Sequence, residues 1–154
     1  MSYKFDEFRS LVTNVVTEMG QVRKGMFNVN FVTACMMACA HESLGGKYRR
    51  QLGGGPARGV LQIEKATHDD VWEHSDTIHE VAKALGIEKD WSRVEYDDRY
   101  SIFIMRHKFA MDSKRIPCDL FGIADYTKRV WNGDGKATPT KYIDDYCAWE
   151  RGEL

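Results

Sequence analysis

A chain of 154 residues, 43% hydrophobic and 29% charged, has the composition of an ordinary globular protein and can bury a core as one domain spanning residues 1–154. Its 22 basic residues stand against 23 acidic ones with no long Lys/Arg run, so nucleic-acid binding has no electrostatic support. No stretch reaches the roughly 18 apolar residues of a membrane span, which excludes stable membrane insertion by a helix.

The start, MSYKFDEFRSL, carries acids and does not read as a secretory signal, so the chain is expected in the cytoplasm where it is made. No heptad or long exposed apolar run argues for more than a monomer. Cys35, Cys39, Cys118 and Cys147 are too few for a disulfide scaffold. Cys35 and Cys39 fall in an apolar helix and read as buried thiols, while a Cys118–Cys147 bridge stays open.

Phe5, Phe8, Leu11, Val12, Val15, Val16 and Met19 recur at helical spacing and predict an amphipathic first helix that Gly20 ends. From Phe31 to Ala40 there is no charge at all, which predicts a second helix apolar on every side, the spine of the domain. Asn28 or Asn30 can cap it, and Gly45 with Gly46 can stop it in left-handed backbone. Glu42 falls under Ala38, Cys35 and Phe31 on the helical period, so its carboxyl extends an apolar stripe. Burial disfavours a charged carboxylate, and a carboxylic acid that keeps its proton near neutral pH is able to donate it.

Between Lys47 and Ile63 the glycines 53–55 and 59, with Pro56, exclude helix and predict turns around one small β-hairpin. Thr67 or His68 starts a short helix through Trp72, and Asp76 caps another that Gly86 stops. Asp97 opens a strong helix with Ile102, Met105 and Phe109 on its inner face, and Pro117 closes the loop after it. Asp119 begins a helix running to Trp131 with Gly133 at its end, and Thr138 or Thr140 caps a last one ending near Trp149. The sum is a mainly α (α+β) fold of about seven helices with one small β-hairpin.

Glu42-Ser43, then Gly59-Val60-Leu61-Gln62-Ile63, then Val130-Trp131-Asn132-Gly133 carry a resemblance. Their order and spacing over roughly residues 30 to 145 resemble the lysozyme-like superfamily, in particular goose-type lysozymes and soluble lytic transglycosylases. Those enzymes place Glu-Ser at the end of a core helix, then Gly-Leu-Met-Gln-Ile/Val, then a Tyr-Asn-x-Gly box in which Trp131 here takes the tyrosine position. The resemblance implies a lysozyme-like fold around the central helix and Glu42 as general acid at a glycosidic oxygen. It implies a muramidase that cleaves between N-acetylmuramic acid and N-acetylglucosamine in peptidoglycan glycan strands. A short chain without a signal resembles single-domain phage endolysins, which wait in the host cytoplasm and act on the periplasmic wall after release. Glu64 stands where goose-type enzymes carry an acid, so it is either the second catalytic carboxylate or a surface acid. Lys47 to Arg58 contains no further acid, which leaves a lytic transglycosylase with Glu42 alone as the rival enzyme. A glycan-binding module without turnover is the rival outside catalysis.

Gln62 either meets an acetamido group or ties the hairpin to the spine; Ser43 either meets glycan or satisfies the helix end. Trp131 and Asn132 are candidates for the sugar groove, with Tyr126 a helical turn before Val130. Lys47, Arg49, Arg50 and Arg58 form a local positive rim suited to acidic stem peptides. His41-Glu42-Ser43 with Arg58-Gly59-Val60-Leu61-Gln62 also resembles plant-type chitinases, whose usual Asn-Tyr is absent. No metal or other cofactor is expected: Gly45 and Lys83 stand where a zinc helix needs its second histidine, Cys35 and Cys39 lack further ligands, and Gly53 to Gly59 lacks the Lys-Ser/Thr of a phosphate loop.

Overall fold

The computed structural model describes residues 2–154. Seven α-helices carry the chain: α1 (Phe5–Val22), α2 (Val29–Ser43), α3 (Lys65–His74), α4 (Ile78–Leu85), α5 (Asp98–Ala110), α6 (Leu120–Thr127) and α7 (Pro139–Glu150). The molecule is mainly helical, and no described helix is long and apolar enough to cross a membrane.

α1 turns Phe8, Val12, Val16 and Met19 into the core and runs straight through Gly20 to Val22. Gly20 is therefore no stop; a Cβ there would lie 2.8 Å from Phe27 Cβ, so its bareness lets the α1–α2 connection cross the helix closely. Asn28 caps α2 by accepting from the backbone N–H of Asn30 and Phe31 at 2.9 and 3.0 Å. From Phe31 to Ala40 only Thr33 escapes full burial, as an all-apolar helix requires. α2 ends in left-handed backbone over Leu44, Gly45 and Gly46, and packs most extensively against α7.

A second helix is almost as deep. α5 buries Ile102, Ile104 and Phe109 and also Arg106 and His107, which the sequence pattern assigned to no core face. Arg106 donates to the carbonyls of Met26 and Gly25 at 2.8 and 3.2 Å, and these bonds compensate its lost hydration. The expected hairpin does not form as paired strands. Lys47 to Ile63 is a looped segment pinned by two isolated antiparallel bridges, Arg50 to Arg58 and Arg58 to Ile63, because Gly53–Pro56 interrupts the first pairing and Gly59–Gln62 turns inside the second. At Gly59 (φ +80) a Cβ would lie 2.2 Å from the Val94 carbonyl oxygen, so this turn reaches the rest of the molecule only as glycine.

Two helix starts differ from expectation. α3 begins at Lys65, before Thr67 and His68, and α4 begins after Thr77 with no side-chain cap from Asp76. His68 is fully buried, taking the Tyr100 hydroxyl on Nε2 at 2.6 Å. Asp97, Asp119 and Thr138 cap α5, α6 and α7. After α6 the chain continues as one wide π-helical turn, Lys128–Asn132, closed by Gly133 N–H on the Lys128 carbonyl at 2.8 Å. All four cysteines are free: Cys35 and Cys39 are buried, with burial pushing both thiols up, Cys118 is exposed and Cys147 half-buried.

Candidate active site

Glu42 lies in the last turn of α2, where the buried helix reaches the surface, and its side chain is half-buried. Oε1 accepts two hydrogen bonds, from the Tyr142 hydroxyl at 3.0 Å and from Asn132 Nδ2 at 3.2 Å. No described residue donates to Oε2. The carboxyl lines a groove of about 630 Å³ between the 47–64 segment and the π turn with its following loop. A carboxyl held through one oxygen and open at the other has the geometry of a group that passes a proton to something in that groove.

The donors are themselves fixed. Asn132 Oδ1 accepts from Lys128 Nζ at 3.1 Å, which leaves its amide nitrogen to face Glu42. Lys128 Nζ also bonds the carbonyls of Gly133 and Gly135 at 2.6 Å each, so its ammonium is fully engaged in holding the loop. Tyr142 is wholly buried, and burial beside the Glu42 carboxylate pushes its hydroxyl far up from its ordinary value. It stays a donor. The residue before Glu42 in α2, His41, packs its ring edge-on against Tyr142 at 5.0 Å and bonds Asp145 through Nδ1 at 2.8 Å, with Lys141 on the other Asp145 oxygen at 2.9 Å.

The remaining expected residues divide. Trp131 lines the groove and donates Nε1–H to the Leu61 carbonyl at 3.2 Å, stitching the π turn to the looped segment. Gln62 lines the groove and also ties the loop, donating to the carbonyls of Gly59 and Tyr48 at 2.9 and 3.3 Å from left-handed backbone (φ 50). Glu64 lines the groove, exposed, with no side-chain hydrogen bond or ion pair among the described residues.

Ser43 is not in the groove. It is fully buried, and its hydroxyl donates to the Val60 carbonyl at 2.6 Å and accepts from Gly46 N–H at 2.9 Å, closing the end of α2. Tyr126 is buried against Phe109, its hydroxyl within 3.5 Å of the carbonyls of Phe109 and Lys114, because the π turn rotates Val130 to Asn132 away from its face. The positive rim is largely neutralised: Arg49 grips Asp98 with two bonds at 2.6 and 2.9 Å, and Arg50 bonds Glu95 at 2.9 Å. Arg58 is spent on the carbonyls of Gly55 and Ala57 and lies 3.7 Å from Glu95.

Sequence reasoning missed Tyr142, which sits at ordinary helical spacing in α7 and is 100 residues away from Glu42. It also missed Tyr48, Leu52, Lys108 and Asp134, which meet the groove from three separate segments. No group of three or more His, Cys, Asp or Glu side chains among the described residues is placed to hold a metal ion. In comparison with known proteins, no family model, no curated protein and no solved structure matches this chain.

Proposed function

We propose that the protein is a peptidoglycan-cleaving glycosidase of lysozyme-like fold in which Glu42 is the general acid, a muramidase acting on the bond from N-acetylmuramic acid to N-acetylglucosamine. The observation that carries this reading is the Glu42 carboxyl itself, lining a groove, anchored on Oε1 by Tyr142 and Asn132 and without a donor among the described residues on Oε2. In the reaction the protonated carboxyl delivers its proton to the bridging oxygen as the glycosidic bond stretches toward an oxocarbenium-like transition state. Negative charge then appears on Glu42, where two preset donors receive it without reorganising. The Trp131 ring, from the π turn, and the Gln62 amide, from the looped segment, offer a sugar an apolar face and a polar contact in the same groove.

Glu64 is the candidate for holding the attacking water. Its lack of any partner favours a second reading, a lytic transglycosylase in which the sugar's own acetamido group assists and its 6-hydroxyl attacks, giving a 1,6-anhydro end. Such an enzyme acts as an endolysin of the kind released from the cytoplasm onto the wall.

The experiment is Glu42→Gln, assayed on purified peptidoglycan and by glycan binding. Loss of cleavage on the order of 10³-fold with binding kept is expected of a general acid. A protein that never cleaves the wall yet binds glycan equally well in both forms is a binding module instead. Mass analysis of the fragments separates the two enzymes, since anhydro ends are lighter than reducing ends by one water.

A further inference from the structure

We infer that Lys108 is the anion-anchoring residue of the groove and sets its preference for glycan strands that carry carboxylates over neutral ones; this rests on the glycan-cleaving reading above. Among the described residues lining the groove, Glu42, Glu64 and Asp134 are acids and Lys108 alone is a base. Lys128, nearby, has its ammonium saturated by Asn132, Gly133 and Gly135 and is unavailable to a ligand.

Lys108 stands in the last turn of α5 with its side chain 30% exposed. No described residue accepts a hydrogen bond from its ammonium. Its nearest carboxylate, Asp70, is 3.9 Å away at the limit of an ion pair and is already bonded through its other oxygen to His74 at 2.8 Å. An ammonium left with unused donors on the wall of an otherwise acidic groove is a single attractive point in a repulsive field. A strand with regularly spaced carboxylates can enter only in a register that puts one of them on Lys108 and keeps the others from the three acids. A neutral strand of N-acetylglucosamine gains nothing there. The free lactyl carboxylate of muramic acid, or a carboxylate of its peptide substituent, supplies the partner through a charge-assisted hydrogen bond.

The test compares binding of two oligosaccharides of equal length: peptide-free glycan with free lactyl carboxylates, and neutral chitooligosaccharide. Each is titrated against the wild type, Lys108→Gln and Lys108→Arg at low and high salt, with thermal melting to confirm that the variants fold. The wild type is expected to bind the carboxylate-bearing oligomer on the order of tenfold more tightly, the advantage shrinking with salt. Lys108→Gln should bring the two affinities together, and Lys108→Arg should keep them apart. Binding of both oligomers with no preference in the wild type, or a preference that Lys108→Gln leaves intact, overturns the assignment while the glycan reading stands. Binding of neither overturns both.

Discussion

The Tyr142 hydroxyl can hold Glu42 only while it keeps its proton, and burial beside that carboxylate ensures that it does. Removing it should act on the charge that appears during proton transfer more than on binding. Tyr142→Phe is expected to lower kcat about tenfold, near 1.4 kcal/mol, with KM little changed, measured on a soluble glycan substrate. A fall confined to KM would make the tyrosine a binding residue.

His107 poses a different question. It is fully buried in α5, its Nδ1–H donates to the Phe103 carbonyl at 2.9 Å, and its Nε2 has no partner. Burial first, and Arg106 beside it, push its pKa down from 6.5 to about 4. Below pH 6.5 the unfolded chain takes up a proton that the native imidazole refuses. The stabilisation is therefore complete above 6.5 and lost as the pH falls toward 4, about 3 kcal/mol in all. His107→Leu should flatten the decline between those limits in urea denaturation at pH 7, 5.5 and 4, against the same series for the wild type.

At the scale of elements, caps were legible and long-range turns were not. Asn28, Asp97, Asp119 and Thr138 each bond a backbone N–H no more than three residues away, so the sequence alone names Asp97 and Asp119 and narrows the other two to Asn28 or Asn30 and Thr138 or Thr140. Gly20 misled because glycine stops a helix or lets another segment approach it, and only the position of Phe27 distinguishes the two. Gly20→Ala would gain about 1 kcal/mol from helix propensity in isolation, but a methyl against Phe27 Cβ should cost more, about 1–3 kcal/mol. A net fall in melting temperature is expected; a rise would return Gly20 to the role of a replaceable interior residue. The π turn was equally illegible, since Asp119 to Gly133 has ordinary helical spacing. That one wide turn parts Tyr126, in the core, from Trp131 and Asn132, in the groove.

Across the whole molecule, the loop that walls the groove is moored to α5 and the N-terminal segment through one carboxylate. Asp98 takes both Arg49 nitrogens and the Tyr3 hydroxyl, and burial, with Asp98 adding to it, pushes the Tyr3 phenol up to about 12. Asp98→Asn leaves the Arg49 guanidinium without its counter-charge. The expected loss is about 2 kcal/mol in chemical denaturation, below the ~3–5 of a fully buried pair because Arg49 keeps some exposure. Cleavage should weaken along with it if this mooring holds the groove wall in place.

What the sequence determined alone is whatever depends on neighbours within a few turns: the helical class, the uncharged run that buries α2, most of the caps, and Glu42 at the foot of that helix. Tertiary structure decided which polar groups share one space. Tyr142 on Glu42, Lys108 and Asp134 lining one groove, Ser43 turned inward and Arg49 spent on Asp98 all join residues far apart in the chain, and a side chain's local spacing does not say which distant group it will meet once the helices pack.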